Sequence, residues 1–186
     1  MRFTIPNVLT FFRLLAAPCV GLFLILDLSA TAALFIFLIA SITDYFDGYL
    51  ARTLNQSTSL GKVLDPIADK AMIVITLCFV HYDFDSTIAK IFFGIPAIAI
   101  IFREIFISGL REYVGGGSEL LNVSKFSKWK TALQMISVGV LLASRIDYLK
   151  FTLFHEVGIL LLWFAALVTV MTGINYFKKS LHDLKG

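Results

Sequence analysis

Apolar stretches of helical length alternate with short polar connections along almost the whole chain. They lie at about 8–27, 30–51, 63–82, 87–111, 128–146 and 153–177. Each approaches the ~20 residues that a helix needs to cross a ~30 Å hydrocarbon core. Helices satisfy their own backbone polar groups in lipid, so the pattern predicts six transmembrane helices. No sustained period-two alternation is present, which argues against a membrane β-barrel. Pro96 falls inside the fourth stretch and is a candidate kink. Residues 1–13 differ. Asn7, Thr10 and Arg13 recur at every third position among apolar neighbours and share a helical face. Pro6 suits a first helical turn. An N-terminal interfacial helical segment is expected there, with Arg13 snorkelling toward the headgroups.

Composition agrees with this class. The chain has 186 residues, of which 58% are hydrophobic and 16% charged. A soluble domain would carry about a quarter charged residues. The expectation is an all-α integral membrane protein, one domain over 1–186, with no cleavable signal peptide. A formal net charge of +3 is modest. It is attributed to cytoplasmic loop charge rather than to nucleic-acid binding. Arg2, Arg13, Arg52, Lys62, Arg103, Arg111, Lys125, Lys128, Lys130, Lys178, Lys179 and Lys185 fall on one side of the predicted bundle. Asp27, Asp83 and Asp85 fall on the other, with Arg145 and Lys150 as basic exceptions. The positive-inside bias places both termini and the 52–62 and 112–127 connections in the cytoplasm. Cys19 and Cys78 lie in apolar runs and are expected to be small buried hydrophobes. His81, His155 and His182 are assigned no chemistry, and the two tryptophans are expected at the membrane interface or in packing.

One stretch breaks the apolar pattern. Asp44, Asp47, Asp65 and Asp69 lie within the second and third apolar stretches. Each such charge in a bilayer costs ~2.5–3.5 kcal/mol even on lenient insertion scales. Asp44 and Asp47 are three apart and Asp65 and Asp69 four apart, so each pair lies on one helical face. A short polar connection between the helices brings the pairs together. An all-oxygen donor set suits Mg²⁺ or Mn²⁺, and four carboxylates can hold two such ions ~3.5–4 Å apart. Gly48 gives a ligand close access to the backbone. Arg52, one turn on, can take a phosphate bidentately. Taken singly, these residues have plainer roles. Asp65 before Pro66 has the form of a helix N-cap followed by proline at the first helical position. Asp47-Gly48 has the form of a turn, and Arg52 of a positive-inside residue. None of these accounts for the whole set.

The whole set resembles a known signature. D-x2-D-G-x2-A-R-x8-G-x3-D-x3-D is met by Asp44, Asp47, Gly48, Ala51, Arg52, Gly61, Asp65 and Asp69 without departure. It is similar to that of the CDP-alcohol phosphotransferases, membrane enzymes that move a phosphatidyl or related group from a CDP-linked donor to an alcohol and release CMP. The resemblance implies two divalent cations held by Asp44, Asp47, Asp65 and Asp69, with Asp69 also the base for the acceptor hydroxyl. It implies that Asn7, Thr10, Gly48, Ala51, Arg52 and Gly61 contact CDP-diacylglycerol. A homodimer in the bacterial inner membrane, with its active site at the cytoplasmic face, is likewise implied.

The resemblance extends to Pro6-Asn7-x-Leu9-Thr10-x-x-Arg13, to 103–112 and to 123–135. There the chain looks most like bacterial members that use sn-glycerol 3-phosphate as acceptor. Ser127 departs from the glycine expected before Lys128-Trp129-Lys130-Thr131. An anionic acceptor suits the basic residues: Arg103 and Arg111 lie about 80° apart on an ideal helix. Lys125, Lys128 and Lys130 enter from the next one. These five are the expected glycerol-phosphate contacts, and the plain alternative is loop charge paired with Glu104, Glu112 and Glu119. Other acceptors in the same family are inositol phosphate, serine and phosphatidylglycerol. A divalent-cation transporter is the alternative outside it, since intramembrane acids also mark ion paths. Arg52 beside the acids argues against a cation path.

Overall fold

The computed structural model describes residues 4–53, 58–80, 86–114, 125–149 and 153–184. Six helices account for most of them: α1 (Ile5–Ile25), α2 (Ala30–Thr53), α3 (Ser59–Phe79), α4 (Thr87–Val114), α5 (Lys125–Ala143) and α6 (Phe154–Leu184). A single 3₁₀ turn covers Asp147–Leu149, and no strand occurs among the described residues. Among the described residues, three helices are long and apolar enough to cross a membrane, over Pro6–Ile25, Thr87–Tyr113 and Phe154–Leu181. Ala30–Asp44 and Trp129–Ala143 form shorter apolar helices. In α3, Lys62, Asp65, Asp69 and Lys70 interrupt the apolar run. Leu15, Phe35, Ile98, Phe102, Leu160 and Leu167 all stand exposed on the helix surfaces. Lipid tails, not water, suit such surfaces.

The chain groups into two compact units. One comprises Met1–Asp83 and Val138–His155, the other Phe84–Ser137 and Glu156–Gly186. In the first unit, α1 packs against both α2 and α3. Ala16, Ala17 and Val20 of α1, Ala33, Phe37 and Ala40 of α2, and Ala68, Met72 and Leu77 of α3 are buried there. Small residues let helix backbones approach closely where lipid removes the hydrophobic drive between helices. Gly21 shows how closely. A Cβ built on it would stand 2.7 Å from Cγ2 of Ile75. Ile75 is β-branched and stiff at χ1, so it has little room to yield. Gly21→Ala is therefore expected to destabilise the unit by about 1–3 kcal/mol through overpacking. A thermal melt in detergent checks this, and an unchanged midpoint would mean that the α1–α3 seam relaxes freely.

The helix ends explain the chain reversals. Pro6 sits in the first turn of α1, where its missing N–H costs nothing. α1 closes with Asp27 in the left-handed region (φ 48°) and the Leu28 N–H on the Phe23 carbonyl at 3.1 Å. This is a Schellman-type stop. Arg145 donates to the carbonyl of Phe79, the last residue of α3, at 3.3 Å and lies 3.7 Å from Asp27. Arg145 thus covers a helix-end carbonyl that would otherwise lack a partner.

In the second unit, Phe93, Ala97, Ile100 and Ile107 of α4 and Leu162, Ala165 and Ala166 of α6 are buried. Pro96 lies inside an unbroken α4. It has no N–H for the Phe92 carbonyl one turn back. Nε1 of Trp163 donates to that carbonyl at 2.9 Å. Phe92 with Trp163 and Phe106 with Phe177 are ring pairs at 6.4 and 5.5 Å, so α4 and α6 run in the same direction.

Two expectations change, and one plainer role is excluded. Among the described residues no separate interfacial segment precedes the first span: Ile5–Ile25 is one helix. Asp65 is not a helix cap. Thr58 is, with its Oγ1 accepting from the Gly61 N–H, so Asp65-Pro66 falls within α3. Cys19 and Cys78 are exposed rather than buried, on surfaces suited to lipid.

Candidate active site

The first unit brings the two acidic segments together around a residue of α1. Arg13 is 1% exposed. One of its terminal nitrogens, Nη1, donates to Oδ1 of both Asp44 and Asp69. Nη2 lies 3.4 Å from Oδ1 of Asp65. That oxygen also accepts from the Thr10 hydroxyl at 2.5 Å. The local sequence makes this possible. Asn7, Thr10 and Arg13 form the three-residue stripe on α1, and Asp65 and Asp69 the four-residue stripe on α3. Because α1 and α3 run in the same direction, the two stripes meet in order. The expected headgroup role of Arg13 is thus replaced by a buried ion cluster, which spares both sides the cost of an uncompensated charge.

The neighbouring contacts continue the stripe. Thr58 Oγ1 donates to Asn7 Oδ1 at 2.7 Å and accepts from the Gly61 N–H at 3.0 Å. A Cβ on Gly61 would meet Asn7 Oδ1 at 3.1 Å and Thr58 Oγ1 at 3.2 Å. Glycine at 61 thus lets α1 close on the start of α3. Asn7, Thr10, Gly61, Asp65, Asp69 and Asp44 are gathered in one place. Asp47, Gly48, Ala51 and Arg52 follow on α2, and their side chains lie outside the described residues.

The donor chemistry suits a hard divalent cation. Three carboxylates from two helices converge on one positive group, with no sulfur or imidazole among them. Their side chains stay 32%, 43% and 31% exposed at Asp44, Asp65 and Asp69, so solvent still reaches the cluster. Among the described residues no three His, Cys, Asp or Glu side chains close on one point as metal ligands. The three carboxylates close on the guanidinium instead.

The second unit holds a different polar cluster. Nζ of Lys130 donates to Oε1 of Glu104 at 2.5 Å, and Nε2 of Gln134 reaches the same oxygen at 3.3 Å. Gln134 also donates to Thr169 at 2.9 Å. Arg103 approaches Glu104 and Thr172, each at 3.4 Å. Its stem runs over Gly173, where a Cβ would stand 2.9 Å from Cγ of Arg103. The Arg111 guanidinium sits 5.4 Å above the ring of Tyr176. Arg103 and Arg111 thus both turn to α6, and each keeps a buried Nε–H without a partner among the described residues. Lys130 is committed to Glu104. Lys125 and Lys128 lie on the first turn of α5, with side chains outside the described residues.

Sequence reasoning missed Gln134, Thr169 and Thr172, and took Glu104 only as a charge partner. The i, i+4 spacing of Lys130 and Gln134 marked one polar face of α5. It gave no sign of α6.

Comparison with known proteins adds a name for the pattern. The model of the CDP-alcohol phosphatidyltransferase family matches residues 3–171. The chain is similar to proteins named CDP-diacylglycerol–glycerol-3-phosphate 3-phosphatidyltransferase in several bacteria. That of Cereibacter sphaeroides is 37% identical, with 100% of this chain and 99% of the relative covered. That of Rickettsia bellii is 40% identical over 94% and 93%, and that of Haemophilus influenzae 38% identical over 96% and 94%. Matched over most of its length by the family model and from end to end by such relatives, the chain belongs to the CDP-alcohol phosphatidyltransferase family.

Proposed function

We propose that the chain transfers the phosphatidyl group of CDP-diacylglycerol to sn-glycerol 3-phosphate, giving phosphatidylglycerophosphate and CMP. The observation that carries this is the convergence of Asp44, Asp65 and Asp69, three fixed positions of the family pattern, in one open cluster. The acceptor rests on likeness to relatives named for glycerol 3-phosphate.

The chain's own residues divide the work. Asp44, Asp47, Asp65 and Asp69 would hold two divalent cations, Mg²⁺ or Mn²⁺. When bound, these neutralise the donor diphosphate and stabilise charge on the transferring phosphoryl group and on departing CMP. Asn7, Thr10, Gly48, Ala51, Arg52 and Gly61 seat the donor. The acceptor hydroxyl oxygen bonds to the phosphatidyl phosphorus, and the bond from that phosphorus to the oxygen shared with CMP breaks. CMP leaves with the electron pair, and Asp69 takes the hydroxyl proton. Arg103 and Arg111 bring their guanidinium charges to the acceptor phosphate. Lys125, Lys128 and Lys130 add positive charge, with Lys130 held in place by Glu104. Residues 1–186 act as one domain. It has six spans, sits as a homodimer in the inner membrane, and has its site at the cytoplasmic face.

Purified protein given CDP-diacylglycerol and Mg²⁺ or Mn²⁺ is expected to release CMP with glycerol 3-phosphate. It is expected to release far less with serine, inositol phosphate or phosphatidylglycerol. Chelation should stop release, and added Mg²⁺ or Mn²⁺ should restore it. Silence with glycerol 3-phosphate would sink the acceptor assignment, and full activity in chelator would sink the metal dependence.

A further inference from the structure

We propose that Arg13 is the resident counter-ion of the carboxylate cluster and that divalent cations must displace it to bind. This rests on the metal-dependent function above. Nη1 of Arg13 takes one oxygen of Asp44 and one of Asp69 at once. Nη2 and the Thr10 hydroxyl share Oδ1 of Asp65. The guanidinium therefore stands where the three carboxylates converge.

A Mg²⁺ ion approaches its oxygen ligands to ~2.0–2.1 Å. A cation held by those same oxygens of Asp44 and Asp69 would claim the space of the nitrogen already bonded to both. Arginine cannot give way by losing a proton, because it stays charged in proteins. It has to move.

The arrangement has a use when no metal is bound. Four acids in an apolar chain repel one another and raise the cost of the fold. Arg13, fixed on α1 and almost wholly buried, keeps three of them assembled. It thereby preserves the cluster for the metal and lowers the metal's affinity by competition.

Mn²⁺ binding to the purified full chain, followed by electron paramagnetic resonance, tests this. Arg13→Gln is expected to bind Mn²⁺ about tenfold or more tightly, a difference of ~1.4 kcal/mol. In chelator the same variant is expected to melt below wild type, so that Mn²⁺ raises its midpoint further than it raises that of wild type. Arg13→Lys keeps the charge and should restore part of the metal-free midpoint and the weaker Mn²⁺ affinity. Unchanged or weaker Mn²⁺ binding by Arg13→Gln overturns the competition and leaves the metal-dependent function standing. Failure of wild type to bind Mn²⁺ overturns both. Should Arg13→Gln not fold, the guanidinium resonance of Arg13 in ¹⁵N-arginine-labelled wild type serves instead, assigned through Arg13→Lys. It is expected to shift as Mg²⁺ is added, and a signal unmoved at saturation overturns the proposal.

Discussion

Asp69→Asn is expected to abolish CMP release while the helices stay folded. The side chain keeps its volume and one oxygen for the Arg13 contact, so the packing of α1 against α3 has little reason to change. It loses the charge that holds a divalent cation and the basicity that accepts the acceptor's proton. Loss of a positioned base alone costs about 10²–10⁴-fold in rate, and loss of a metal ligand adds to that. CMP release in detergent micelles, beside circular dichroism of the same sample, separates chemistry from folding. A near-native rate would remove Asp69 from the base role. A full loss of helicity would instead assign it a structural part.

The largest effect on stability belongs to the other unit. Glu104→Ala is expected to cost about 3–5 kcal/mol, because it strands a buried cation. Glu104 and Lys130 have side chains only 9% and 7% exposed, 2.5 Å apart. Arg103 lies against the same carboxylate at 3.4 Å. Removing the acid leaves two positive groups facing each other without a counter-charge. A second change, Lys130→Met, should return much of the lost stability, since apolar replacement of both partners is often neutral. Melting midpoints of the two single variants and the double variant give the coupling directly. Additive losses would mean that the pair contributes nothing as a pair.

The hydrophobic pattern made the helices legible to within a few residues. α4 was expected from 87 and begins at Thr87, while α6 was expected to end near 177 and runs on to Leu184. Its last turns carry Lys178, Lys179 and His182, polar residues that a hydropathy reading ends on but a helix tolerates well. The third stretch was expected from about 63, where the apolar run begins, and α3 starts four residues earlier, at Ser59. The true cap, Thr58, is recognisable only once Asn7 is seen to complete its hydrogen bonding. The site residues of the pattern were legible because their spacing is fixed within two adjacent helices. Arg13 was marked as sharing a face with Asn7 and Thr10. Its partners were not, since they stand 31, 52 and 56 positions away. Local periodicity reports which face a residue is on and says nothing of what that face meets. Glu104, Gln134 and Thr169 come from three helices and were hidden for the same reason.

The Arg13 cluster also has an order in time. A ribosome makes the cation first, and the nearest of its described acids, Asp44, emerges 31 residues later. Until then α1 carries an uncompensated charge that is worth ~2.5–3.5 kcal/mol against entry into lipid. Once α2 follows, the two helices can enter as a neutralised hairpin. Asp65 and Asp69 then arrive on α3 to a guanidinium already in place. The same arginine that fills the finished site therefore gives the nascent chain a reason to hold its first helix at the membrane until α2 has joined it.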